Sequence, residues 1–336
     1  MADKKNTKEN ELDKLFDPNN SNDSFSKIIG KARRRSIIRN ILISISVLFF
    51  LIILVGFSWL SIMRWSETNA IRDIELFNRI TNPNVEESGS QQQGNSFFEG
   101  ILRFNRYKEV EGIPVDWSEE VMTYSLFGGV SGFAGSHSPV QLQEEGEDQV
   151  NVYDRETKQR MMSFYHPKVA YDQLANGVKE LENYPEDTVA EVALSFDQTY
   201  SPSEIEEAMP EEINVKWHWT DTYSAADIER KNEGIEEQNG SGAPELATQI
   251  YGFDASMEAE GFIDTIETGL SIENGKYVGE YERIHNNLTE EDSRLTEENV
   301  EVIGAVVTGS VEDLQLLEDS TMIRSSTLGV TANPYQ

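Results

Sequence analysis

ILISISVLFFLIILVGFSWLSIM, residues 41–63, is a run of 23 residues without a charged side chain. At about 1.5 Å of rise per residue it makes a helix of roughly 34 Å, enough to cross a hydrocarbon core of about 30 Å. A buried helix of a soluble domain would show a polar face, whereas only Ser44, Ser46, Gly56, Ser58 and Ser61 interrupt this run. A cleaved signal peptide would have an apolar region of about 7–15 residues ending in a small-x-small site, and neither feature is present. The sequence therefore predicts one transmembrane helix over residues 39–63.

The flanks set the expected orientation. Lys27, Lys31, Arg33, Arg34, Arg35 and Arg39 precede the run, with no acidic residue between Ser24 and Asn40. Arg64, Arg72 and Arg79 follow it, mixed with Glu67, Asp73 and Glu75. Basic residues close to a span are retained on the cytoplasmic side, so the N-terminus is expected in the cytoplasm and the C-terminal part outside the cell. The first 40 residues hold ten Lys+Arg and six Asp+Glu, a net of +4, against 18 and 54 beyond them, a net of −36. So acidic an outer part argues against a nucleic-acid partner there. Cysteine is absent, so the outer part must rest on a hydrophobic core rather than on disulfides.

Along the chain, residues 1–38 read as a mostly disordered cytoplasmic tail, with PNNSND at 18–23 as a break. Residues 64–150 read as an outer stalk and N-terminal region. The helix is expected to continue through Trp65, Ile71, Ile74, Leu76 and Phe77 and to stop at Asn82-Pro83. EESGSQQQGN at 86–95 and EEGEDQ at 144–149 have linker composition, and the Gly-rich stretch from Phe97 to Leu142 suggests turns between short strands. Residues 151–336 read as an α+β domain. Strands are expected at 189–196 and 213–219 around a capped helix from Ser201, and at 300–308 and 322–331 around a capped helix from Ser310. Two strand-helix-strand units of this kind suggest a ferredoxin-like arrangement, with a further helix over 257–270 between them.

Candidates for chemistry are sparse. His137, His166, His218 and His285 stand far apart, with no pair at metal-motif spacing, so no metal and no cofactor is expected. GSHS at 135–138 puts Ser beside His, but a nucleophile and its base usually meet through the fold rather than as neighbours. FGGVSGFAGS at 127–136 lacks the ending of a phosphate-binding loop, and its glycines read as turns. In WHW at 217–219 the two tryptophans fall on one face of a strand. No catalytic residue is expected, and an extracellular hydrolase is the weakest class.

The tail carries more information. Leu12, Leu15 and Phe16 fall at i, i+3, i+4, and Phe25, Ile28 and Ile29 repeat that spacing. The second face precedes KARRR, which suits an anionic lipid bilayer as well as a protein. The first face is interleaved with Glu9, Glu11, Asp13 and Asp17. Such a bilayer would repel these acids, whereas a protein groove with basic rims would accept them. All six apolar residues are therefore expected to bind a protein partner.

SFSKIIGKARRRSIIRNI at 24–41, followed by the span and TNPNV at 81–85, resembles the N-terminal module of the sigma factor regulator proteins of Gram-positive bacteria. LSFDQTYSPSEIEEAMPEEINVKWHWTDTYS at 194–224 resembles the C-terminal module of that family. The resemblance implies a membrane anti-sigma factor. Its tail would sequester an extracytoplasmic-function sigma factor, its outer domain would respond to the cell envelope, and it would have no enzymatic activity. A second membrane protein taking part in release is a further expected partner. The rival reading is a membrane-anchored ligand-binding or scaffold protein of the envelope, whose tail merely anchors it.

Overall fold

The computed structural model describes residues 18–132, 139–143, 150–237, 243–289 and 294–333, with the backbone alone at 18–25 and 95. The chain divides into two compact units, Met1–Arg64 and Trp65–Gln336. Leu12, Leu15, Phe16, His137 and the 144–149 run lie outside the described residues.

Helix α1 (Pro18–Asn78) supplies the described part of the first unit. It is long and apolar enough to cross a membrane, and every large hydrophobic side chain from Ile41 to Val55 is at least half exposed. Residues 18–38, expected to be mostly disordered, are helical, and the expected break at 18–23 is the start of the helix. Proline is well placed in a first helical turn, where its missing N–H costs nothing, and a helix already nucleated in the span extends cheaply. Gly30 sits inside the helix with open space around it. Its cost of about 1 kcal/mol does not break the helix.

In the second unit the last turns of α1 are not an isolated stalk. Ala70 and Ile74 are fully buried, and Asp73 Oδ2 accepts the Lys276 N–H at 2.9 Å. Phe77 stacks face to face on Tyr277 at 3.9 Å between ring centroids and meets Tyr251 and Tyr281 edge-on. A β-carbon on Gly269 would collide with the Tyr281 ring, so this aromatic cage needs glycine there. Helical bonding tightens after Asn78, with Ile80 N–H donating to the Phe77 carbonyl and Thr81 N–H to that of Asn78. The chain then turns through left-handed Asn82 (φ 58°) and Asn84 (φ 53°), close to the expected stop.

Strands β1 (Glu86–Asn95), β2 (Glu99–Val110), β3 (Ile113–Ser125) and β4 (Val130–Gly132) form an antiparallel sheet in that order. Residues 86–95 are thus an edge strand and not a linker. Backbone pairing with β2 needs no apolar side chain, and register shifts at 87/89 and 92/95 accommodate Gly89 (φ 131°) and Gly94 (φ 82°). Strands β2 and β3 close over Glu111-Gly112, both with positive φ, as a two-residue hairpin turn requires. The stretch from Phe97 therefore forms long strands, where short ones were expected. Two small antiparallel pairs follow, β5 (Val140–Gln143) with β6 (Val150–Tyr153), and β7 (Ser163–Phe164) with the distant β10 (Glu245–Leu246).

The larger sheet is built from β8 (Val189–Tyr200), β9 (Asn214–Thr220), β11 (Gly252–Asp254), β12 (Val302–Ser310) and β13 (Ile323–Ala332), in the order β11-β9-β12-β8-β13, all antiparallel. One helix crosses from β8 to β9 (Pro202–Ala208), capped by Ser201 with Glu204 returning the bond. Another leaves β12 for β13 (Val311–Leu314), capped by Ser310. Strands β8 and β9 flank β12, and β12 and β13 flank β8. Each strand-helix-strand unit thus has its gap filled by the other, the split β-α-β plan expected from the sequence. The sheet is buried on both faces, so residues 189–196 and 302–309 are buried without alternation. The helices Glu258–Ser271 and Val278–Leu288 cover one face through Phe262, Ile266, Tyr281 and Ile284. Trp217 and Trp219 point to the other, with Phe164 and Ile303.

The two sheets are joined by a buried ion pair. Lys108 Nζ on β2 lies 2.9 and 2.8 Å from the two oxygens of Glu191 on β8, with side chains 2% and 0% exposed. Burial pushes the Lys108 ammonium below its ordinary value, and the Glu191 carboxylate opposes that shift. Removing one partner strands the other charge, at a cost of about 3–5 kcal/mol. Lys108→Met and Glu191→Leu should each lower the unfolding free energy of the full-length protein in detergent by about that amount. The double variant should recover part of the loss; denaturant titrations showing simple additivity would reject the coupling.

His218 is buried against Phe253 with Nδ1 lacking a hydrogen-bond partner, and burial pushes its pKa down to about 4, with Asp254 opposing. The unfolded chain therefore binds this proton more readily than the folded one as pH falls from about 6.5 to about 4. Stability should fall across that window, and His218→Gln should flatten the slope. Equal slopes in the two proteins would show that other groups carry the dependence.

Candidate functional site

Six residues were expected to bind the partner. Phe25 lies within α1, and Ile28 and Ile29 lie on it with 65% and 57% of their surface exposed. Ile28, Ala32 and Ser36 follow one another at i, i+4, i+8 and share a groove of about 610 Å³ with Lys31, Arg35 and Arg39. The described part of the tail is thus an uncovered apolar stripe bordered by cations. A stripe of this kind gains by docking into a complementary groove, where i, i+3, i+4 anchors carry the affinity.

In the second unit the most tightly organised polar site is the turn over Thr81–Val85. Thr81 Oγ1 donates to the Phe77 carbonyl, and Asn82 Nδ2 donates to Asn78 Oδ1 and Thr81 Oγ1, which ties the turn to the end of α1. Asn78 Nδ2 reaches Glu87 at 2.7 Å and Glu120 at 2.9 Å, and Glu120 faces Arg106 at 3.6 Å. Burial pushes the Glu87 carboxyl up, the Asn78 bond opposing. Asn84 Nδ2 then donates to Glu191 Oε1 at 2.8 Å and to the Glu109 carbonyl at 3.2 Å. Glu191 also accepts the Val330 N–H at 3.3 Å, and Lys108 lies over the Trp117 ring at 4.6 Å. One carboxylate thereby gathers the turn, β2, β8 and β13. A β-carbon on Gly329 would collide with it. The turn is thus tied to the end of α1 through Thr81 and Asn82 and to the buried Lys108–Glu191 pair through Asn84.

The motif TNPNV was read as a family signature, without a role for Asn84; Lys108 and Glu191 were not singled out. A signal was available. Glu191 is the lone acid in VAEVALSF, and Lys108 follows Leu102 and Phe104 at even spacing on the inner face of β2.

Among the described residues the three histidines do not converge. His166 is fully buried, its Nε2 3.2 Å from Asp221 and its Nδ1 accepting the Lys168 N–H at 3.1 Å, so both ring nitrogens are engaged. Burial raises the Asp221 carboxyl, but His166 and Lys168 outweigh it and hold the group below the usual carboxylate range. Together with the Arg324 bonds to the His166, Pro167 and Val169 carbonyls, this cluster fixes the 166–169 loop. His285 sits on the second covering helix, its Nδ1 3.5 Å from Thr289 Oγ1. Among the described residues no three His, Cys, Asp or Glu side chains gather as a metal site. A cavity of about 200 Å³ lined by Val169, Tyr171, Arg230, Lys231 and Ile235 offers no free cation, since Arg230 pairs with Asp227 and Lys231 with Glu245.

Comparison with known families assigns residues 26–115 to a sigma factor regulator N-terminal region and residues 181–330 to a sigma factor regulator C-terminal region. No curated protein and no solved structure matches the chain. Asn84 and Lys108 fall in the first matched region, Glu191 and Val330 in the second, so the buried carboxylate is where the two regions meet. The family is regulatory rather than enzymatic, and its members' business is with sigma factors. On both matches, which together span most of its length, the chain belongs to the sigma factor regulator family.

Proposed function

We propose that the protein is a membrane-anchored anti-sigma factor that holds an extracytoplasmic-function sigma factor through residues 1–38, in the cytoplasm, and responds to envelope conditions through its outer domain. The observation that carries this reading is the uncovered stripe around Ile28 and Ile29, on a helix long enough to cross a membrane. Family membership supplies the class of partner.

The physics is sequestration without turnover. Residues 12–16 present the same spacing as 25–29, so two short amphipathic turns can occupy one partner. Each buried Phe or Ile contributes about 1.5–3 kcal/mol, offset by the entropy of ordering the tail. Phe25→Ala with Ile28→Ala should therefore weaken capture of the sigma factor by full-length protein in nanodiscs about a hundredfold or more. Undiminished capture by the double variant would remove these anchors from the account.

Orientation follows from the basic flank. Protease added to intact cells should degrade the region beyond residue 65 and spare an epitope placed at the N-terminus. Loss of that epitope from unbroken cells would invert the proposed topology.

A further inference from the structure

Among the described residues of the second unit, the exposed Phe and Trp side chains are Trp65 (61%), Phe97 (76%), Phe98 (63%) and Phe127 (88%). The three phenylalanines belong to one place. Phe97 and Phe98 form the turn between β1 and β2, Phe127 the turn between β3 and β4, and the Leu126 N–H donates to the Phe98 carbonyl at 2.7 Å. The turns therefore touch at one end of the sheet, where Glu99 pairs with Ser125.

That end is tied to the chain segment leaving the apolar run. Ser66 Oγ donates to the Ser125 carbonyl at 2.5 Å, and Ser66 stands three residues after Met63, about 4.5 Å of helical rise. The sheet end is thus fastened to a residue only three positions along the chain from the end of the apolar run. Its charge is also exceptional. Residues 88–98 and 121–143 contain no Asp, Glu, Lys or Arg, in an outer part that carries a net −36. The nearby acids are Glu99, at the base of the first turn, and Glu67, beside Tyr124. Exposed aromatic rings on turns that carry no charge suit the headgroup level of a bilayer, where aromatic side chains concentrate.

We propose that this end of the four-stranded sheet is a membrane-contact surface, with Phe97, Phe98 and Phe127 seated in the interfacial layer of the leaflet next to the span. The proposal rests on residues 41–63 spanning the bilayer, but not on which way they are oriented. It makes the outer domain a second point of attachment to the membrane, so that lipid packing at the leaflet bears directly on the sheet that carries Lys108.

The chain has no cysteine, so single nitroxide labels can be placed without background. Phe98→Cys, Phe127→Cys, Leu316→Cys as an exposed reference and Ile53→Cys as a span reference would each be labelled in full-length protein and reconstituted in phosphatidylcholine vesicles. Power-saturation spectra then compare collisions with oxygen, which concentrates in lipid, and with a water-soluble nickel chelate. Labels at 98 and 127 should show an oxygen-to-nickel ratio severalfold above that at 316 and below that at 53. Ratios equal to that at 316 overturn the proposal. Protection from both reagents, with spin-spin broadening that disappears on dilution with unlabelled protein, would assign the surface to a second copy and also overturn it. An aqueous signal at position 53 would instead overturn the span itself.

Discussion

A buried carboxylate must find hydrogen-bond donors, and the second unit is arranged around one that does. Glu191 stands near the start of β8, in its apolar half, and receives Lys108 from the smaller sheet, Asn84 from the turn after α1 and the Val330 N–H from its neighbour strand. Each donor comes from a different element, so the group is satisfied only when all are docked. A pair of this kind is weak evidence for stability, since well-packed apolar residues serve as well or better. It is better understood as a registration device: helix end, hairpin and large sheet have one mutual position in which no charge is stranded.

The surrounding packing follows from that position. The large sheet is covered on both faces, which is why residues 189–196, expected to alternate as a half-buried strand, are buried without a break, as are 302–309. One face carries the helices between β11 and β12, and Phe77 from α1 completes their aromatic cage. The other meets the lower half of β2 and β3 through Val110, Val115, Trp117, Val189 and Val330. The regions matched by the two family models are therefore not beads on a string. They share a core.

Much of this was legible in sequence, and the parts that were not failed for identifiable reasons. The strands and capped helices on either side of Ser201 and Ser310 could be placed because apolar runs and cap residues agree there, and the two units do interleave. Residues 86–95 misled because their composition is that of a linker, while an edge strand is held by backbone hydrogen bonds that composition does not report. The Glu111-Gly112 turn had half a signal, a glycine between two apolar runs, whereas Glu111 is not a residue that favours the positive φ it adopts. The helical state of residues 18–38 was misjudged because polarity was weighed without the long helix it adjoins. Glu191 was missed for the opposite reason: a single acid in an apolar strand was averaged into the strand. Of the expected partner-binding residues, the structure exposes Ile28 and Ile29, while the proposed function, not the fold, gives them a partner.

How such a molecule could transmit a change is constrained by its stiffness. Strand β2 runs from the turn bearing Phe98 to Lys108, about 30 Å at roughly 3.3 Å per residue, and the last turns of α1 run beside β3 from Ser66 at Ser125 to Asn78 at Glu120. Both are regular elements fastened near each end, so neither can absorb a displacement by bending. A ligand of the second unit can shift the populations of its states only by binding them unequally. The elements best placed to differ between two states are the short irregular ones, chiefly Thr81–Val85, where two left-handed asparagines and a buried charge meet. A second state in which Asn84 leaves Glu191 would keep Lys108 and the Val330 N–H on that carboxylate and lose one charge-assisted hydrogen bond, at a cost of about 1.5–3 kcal/mol. The docked turn is therefore favoured, by an amount small enough for unequal binding to reverse.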